Sequence, residues 1–133
     1  MVELALVITL VLTLLFGLIS YGMIFAVKQT VSEAAAEGAR AAVPAADFAT
    51  ATSVAAVQAG KSAGWLGGSC NSGHLTCTAS PPYLCNVSVP NVYCVRMTVA
   101  YDWSAGAILP ALPFVPQPTM IQSVSVVSIT AKS

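Results

Sequence analysis

The chain has 133 residues, 56% of them hydrophobic and only 8% charged, with five basic and five acidic side chains that cancel. An ordinary soluble domain carries about 25% charged residues, so the composition excludes one, and zero net charge leaves no electrostatic footprint for nucleic acid. A neutral, charge-poor surface favours self-association over dispersal.

From Leu4 to Val27 no side chain is charged, and the run begins directly after a lone acid, Glu3. As a helix at ~1.5 Å per residue it spans roughly 36 Å, against roughly 30 Å of bilayer hydrocarbon. A secretory signal peptide would have a shorter apolar core of roughly 7–15 residues, with basic residues before it and a small-residue cleavage site after it. Here no basic residue precedes the run and the sequence passes straight into Lys28–Glu33, so the segment is expected to stay in the mature protein. Thr9, Thr13, Gly17 and Ser20 form a narrow small and polar stripe at i, i+4, i+8, i+11 spacing. Small residues permit close approach and hydroxyls can bond across helices. The competing reading, in which each hydroxyl bonds a carbonyl of its own helix, is as good for any one residue; four in register favour an interface. Glu3 at the edge of the run needs a headgroup-level position or a positive partner, and the terminal amine of a neighbouring copy would let it set axial register during assembly.

The first helix is expected to run from about Glu3 to Val43, since Pro44 disfavours helical geometry in the residue before it. Its second half is amphipathic. Gln29, Ser32, Glu33, Glu37 and Arg40 form a polar surface, while Ala34, Gly38 and Ala42 recur every four residues as a stripe that allows close helix approach. Asp47 can cap a second helix from Phe48 to Ala63, with Phe48, Ala51, Ala55 and Ala59 on one face, Gly60 weakening it and Gly64 as a stop. Trp65 to Pro82 reads as loop, punctuated by Gly67, Gly68, Gly73, Pro81 and Pro82. Tyr21 and Trp65 suit either the membrane interface or packing, with packing favoured for Trp65.

Strands follow. Val92 to Tyr101 alternates, with Val95, Met97, Val99 and Tyr101 on one side, and Val87 and Val89 are candidates for a shorter strand before it. Asp102 to Pro118, with four prolines, reads as an extended excursion. Ile121 to Thr130 is the final strand, its alternation slipping at Val126-Val127 as a bulge would produce. The fold class is therefore α+β: a long helix, a second helix and a small antiparallel sheet that covers the apolar side of the amphipathic segment. Two units are expected, the helix at 1–43 and a small extracellular domain at 44–133.

Cys70, Cys77, Cys85 and Cys94 lie close together and far from the apolar run. An even count in a small, core-poor domain points to disulfides and an oxidising compartment. His74 between Cys70 and Cys77 raises the possibility of a metal, but the spacing is not that of paired Cys-x-x-Cys zinc frames. Spacing does not fix connectivity; neighbouring bridges, Cys70–Cys77 and Cys85–Cys94, are preferred over the two other complete pairings. If the domain is outside, Lys28 sits on the wrong side for the positive-inside rule, which a basic leader removed before this chain would resolve.

Little here resembles catalytic machinery. His74 reads as an exposed loop residue. Glu33 and Glu37 sit on a helix surface, Asp47 at a cap and Asp102 at a strand end, and none makes an acid/base pair. No glycine-rich phosphate loop opens a helix, and Asn86-Val87-Ser88 matches a glycosylation acceptor. No enzyme, cofactor or metal is expected.

Three stretches carry a resemblance: Glu3-Leu-Ala-Leu-Val7, Leu14-Leu-Phe-Gly-Leu-Ile-Ser-Tyr-Gly22, and Ala34-Ala-Ala-Glu-Gly-Ala-Arg-Ala-Ala42. They resemble the TadE-like pilins of the tight-adherence (type IVc) branch of type IV pili, with the Glu37–Ala42 stretch the most specific. The last forty residues are similar to that family's tail, whereas the cysteine-bearing middle matches loosely. The resemblance implies a pilin-like fold, a leader removed by a prepilin peptidase in the inner membrane, and handling by pilus assembly machinery. It also implies that copies of the chain pack their N-terminal helices into an extracellular filament, with the membrane as host before assembly. The docking role of the family's acidic residue carries over to Glu3 alone, although Glu3 stands nearer the N-terminus than such pilins place it. The expected function is a structural subunit of an attachment pilus; the alternative is a single-pass, membrane-anchored minor pilin or scaffold whose outer domain binds a partner.

Overall fold

A computed structural model of the chain describes residues 2–45, 47–67, 69–86, 88, 91–106, 108 and 116–130. One helix, α1 (Val2–Ala42, 41 residues), dominates it and extends about 60 Å at the usual rise. It ends where Pro44 forbids continuation. Asp47 caps α2 (Phe48–Ser62): its Oδ1 accepts the backbone N–H of Thr50 at 2.6 Å, which satisfies one of the orphan donors of the first turn.

The helix stops just before Gly64, as expected: it closes through Ala63, whose N–H donates to the Ala59 carbonyl, and Gly64 opens a 3-10 turn, Gly64–Leu66, rather than forming a left-handed cap. The left-handed backbone comes later, at Gly67 (φ 145°). Nor is the following stretch loop throughout. Asn71 (φ 62°) and Gly73 (φ 67°) turn the chain, with the Asn71 N–H donating to the Leu75 carbonyl, and β1 (Leu75–Ala79) follows. Leu-Thr-Cys-Thr-Ala alternates cleanly, with Leu75 and Cys77 buried; its length and the glycines around it concealed it in the sequence.

A two-residue strand, β2 (Tyr83–Leu84), leads to β3 (Val92–Asp102), a helical turn, α3 (Trp103–Gly106), and β4 (Met120–Thr130). The expected short strand at Val87 and Val89 lies outside the described residues. So do residues 107 and 109–115 of the proline-rich excursion; its start, from Trp103, is α3 rather than extended chain. Its return is pinned where Trp103 and Ser104 both donate backbone N–H groups to the Thr119 carbonyl, and where Trp103 Nε1 donates to Gln117 Oε1 at 3.2 Å.

The sheet is antiparallel with β3 in the centre. β1 and β2 pair along one edge of β3 and β4 along the other. The β3–β4 register runs unbroken from Val92↔Thr130 to Asp102↔Met120, so the bulge expected at Val126-Val127 does not form. Ile121, Ser123, Ser125, Val127 and Ile129 share the inner face, while Val124 and Val126 point outward and are half exposed. The apolar pair marks one inward and one outward residue of a regular strand, because the inner face uses serines where α1 lies close.

Both long helices cover one face of the sheet, α1 over β3 and β4 and α2 over β1 and β3. The core between them is built from small residues: Val27, Val31, Ala34, Ala35, Ala39 and Ala42 of α1 meet Ala51, Ala55, Ala59 and Ala63 across Met97 and Val99. The packed unit therefore begins inside α1 near Val27. Disulfides join Cys70 to Cys77 and Cys85 to Cys94, with Cα separations of 5.2 and 5.0 Å.

Candidate assembly surface on the N-terminal helix

α1 lives in two environments. Beyond Val27 its inward residues are buried in the head; from Val2 to Phe25 nearly every side chain is exposed, including Leu6, Leu10, Leu14 and Leu18. Gly17, Met23 and Ile24 are half-buried and Ser20 is buried. Covering one such leucine contributes roughly 1.5–3 kcal/mol, and nothing among the described residues supplies that cover. α1 is the one helix among the described residues that is long and apolar enough to cross a membrane.

The residues singled out from the sequence fall into three groups. Thr9 and Thr13 are exposed, and their hydroxyls donate to the carbonyls of Leu6 at 2.9 Å and Thr9 at 2.8 Å. In the lone chain these hydroxyls are thus satisfied within their own helix, and they line a shallow hollow with Leu6, Leu10 and Leu14. Gly17 has open space where a Cβ would stand. Ala34, Gly38 and Ala42 form a second group, and the structure places all three against the rest of the same chain. A Cβ on Gly38 would lie 2.8 Å from the Ala55 carbonyl oxygen and 3.0 Å from the Ala59 Cβ, so this stripe is the seat of α2. Glu3 stands apart, exposed in the first turn, where a carboxylate complements the helix dipole. The single ion pair among the described residues joins Arg40 to Glu37 at 3.2 Å.

Where the apolar half meets the head, Ile24, Phe25 and Lys28 of α1 form an open groove of roughly 350 Å³ with Pro118, Met120, Ile121 and Gln122. Lys28 Nζ donates to the Gln122 carbonyl at 3.3 Å. On another side of α1, Trp65 donates its Nε1–H to Thr30 Oγ1 at 3.0 Å yet remains 55% exposed. The expectation that Trp65 packs into the head is therefore corrected: its polar edge is anchored on the helix while much of the ring stays uncovered. Sequence reasoning missed this groove, because Met120 and Pro118 reach α1 only through the return of the excursion.

Elsewhere the ionisable groups serve the fold. Backbone hydrogen bonding from Thr50 holds the Asp47 carboxyl below its usual range. The Ser104 hydroxyl, and then the Ala105 N–H, do the same for Asp102. Burial raises the Tyr101 phenol, with the Asp102 charge adding to it; that phenol donates to the Gly106 carbonyl at 2.6 Å. His74 is exposed and sets its ring edge against Tyr101, centroids 6.5 Å apart. Among the described residues no group of three His, Cys, Asp or Glu side chains could hold a metal, and all four cysteines are consumed in disulfides.

No curated protein and no solved structure matches the chain. Residues 1–40 do match a family model, described as TadE-like protein. The match covers α1 almost to its end, taking in Glu3, the apolar run and most of the Ala34–Ala42 stretch. With the exposed apolar half-helix, it points to a membrane-anchored or pilus-associated protein whose N-terminal segment is TadE-like.

Proposed function

We propose that the chain is a structural pilin that polymerises through the apolar half of α1 into an extracellular filament of the type IV, tight-adherence kind, used for surface attachment. The observation that carries this reading is an apolar half-helix left uncovered by a head whose core begins only at Val27. Lipid covers that half before assembly and the same segment of other copies covers it afterwards, so lipid contacts are exchanged for helix contacts. Thr9, Thr13 and Gly17 lie on the seam, where small residues allow backbones to approach, whereas Ser20, the fourth residue of the expected stripe, is already buried within the single chain. Glu3 sets register against a positive group of a neighbouring copy. The partners are copies of the chain, the inner-membrane assembly machinery and a prepilin peptidase, and the chain itself is not an enzyme. Two disulfides suit a head that works outside the cytoplasm.

Electron microscopy with antibody labelling of material sheared from cells tests the reading: labelled filaments are expected. Purified surface filaments lacking the chain, with all of it in the membrane pellet, would overturn it in favour of the anchored minor pilin or scaffold. Glu3→Ala is expected to lower filament yield while leaving the head folded; unchanged yield removes the role given to Glu3.

A further inference from the structure

The geometry points to a second membrane contact besides the spanning helix: a collar of Trp65, Phe25 and Met120 around α1 that seats the head in the headgroup–acyl boundary of a phospholipid bilayer. The inference rests on the reading that Leu4–Val27 lies in the membrane before assembly. Phe25 is 66% and Met120 56% exposed, and they face the groove around Lys28 on one side of α1. Trp65 is held by Thr30 on another side. Residues 25 to 30 occupy about 7.5 Å of helix axis, and a bilayer's interfacial layer is roughly 5–7.5 Å deep on each side of ~30 Å of hydrocarbon. All three side chains thus fall within one interfacial thickness, at the level where the apolar run ends. The chemistry fits that level. An indole with its N–H already satisfied and its ring uncovered suits a zone apolar below and wet above. Lys28, the only charged side chain between Glu3 and Glu33, stands where a cationic tip reaches lipid phosphate while its stem stays in the groove. The groove is continuous with the apolar half of α1, so lipid that covers Ile24 covers Phe25 and Met120 as well.

The chain has two tryptophans, and the second, Trp103, is buried, which supplies an internal reference. The full chain is reconstituted into phosphatidylcholine–phosphatidylglycerol vesicles and compared with Trp65→Phe, which keeps an aromatic ring at this exposed position; the difference in emission isolates Trp65. Trp65 emission is expected to shift to shorter wavelength on insertion. Lipids brominated near the top of the acyl chain should quench it more than lipids brominated near the methyl end, and Trp103 should lose little with either. Vesicle flotation is scored in the same samples. A chain that floats with vesicles while Trp65 is quenched by aqueous iodide and spared by brominated lipid overturns the collar and leaves the spanning helix standing. A chain that does not float overturns both. Trp65 shielded from iodide and from bromine alike shows a second copy over the ring, and overturns the collar.

Discussion

Gly38 shows how a single residue can face two opposing demands. In the interior of a helix glycine is about 1 kcal/mol worse than alanine, yet a Cβ here would sit 2.8 Å from a backbone carbonyl oxygen of α2, with Met97 Cγ at 3.2 Å behind it. A backbone atom cannot swing away, and overpacking costs about 1–3 kcal/mol, so Gly38→Ala should destabilise the head by up to about 2 kcal/mol in denaturant titrations of the full chain in detergent. Asp47 makes a different prediction. Its folded-state pKa is depressed, so its stabilising contribution is present above the ordinary carboxylate pKa and is lost as pH falls through the folded value. Asp47→Ala should therefore lower the melting temperature at neutral pH, with the gap to wild type closing under acid conditions. The cap was legible in the sequence because an aspartate just before an apolar-periodic run has a local meaning. Gly60 was not. It reads as a flaw in α2, whereas its missing Cβ leaves room for the Cys70 backbone N, which a Cβ would meet at 2.9 Å. That relation belongs to the tertiary structure alone.

The disulfides do their work between elements. Cys70–Cys77 ties the chain leaving the 3-10 turn to β1, and Cys85–Cys94 ties the end of β2 to β3. Each closes a loop of fewer than a dozen residues, for which chain entropy gives about 2–3 kcal/mol. Replacing Cys70 and Cys77 together by serine should cost about that much, seen as an earlier unfolding midpoint, and thiol titration of the unreduced wild type in denaturant should find no free thiols. β3 was legible because its alternation is long and uninterrupted. β1 is hidden by its brevity, and the pattern of β4 misleads at Val126-Val127 because, of two adjacent apolar residues, Val127 faces inward and Val126 outward. In β4 the inward positions beside α1 include Ser123 and Ser125, where close helix packing selects for size over greasiness. The same selection explains why α1 and α2 meet through alanines, and why periodicity located the helices better than it located their contacts.

At the scale of the whole molecule, the two small-residue stripes of α1 do different jobs, and their separation was not legible in the sequence. Ala34, Gly38 and Ala42 are spent inside the chain on α2, whereas Gly17 and Gly22 meet nothing within 4 Å. A residue added at Gly17 therefore has no consequence for the isolated head, and its effect depends wholly on what surrounds the apolar half of α1. Hydrocarbon tails flow around a larger side chain, but a neighbouring helix packed against the stripe cannot, since association in such interfaces rests on close backbone approach. Gly17→Leu should accordingly leave the melting temperature of the head and the membrane content of the chain unchanged while sharply reducing the yield of sheared filaments. The yield is read by electron microscopy, and the first two quantities by thermal unfolding in detergent and by cell fractionation. If filaments form at wild-type yield with leucine at this position, Gly17 does not lie at a helix–helix seam, and the packing must use another side of α1. Combining it with Glu3→Ala separates the two parts of the assembly argument. A register contact and a packing contact on one interface should couple, so the double variant should lose less than the sum of the single losses. Independent effects would place the acid and the glycine in different contacts.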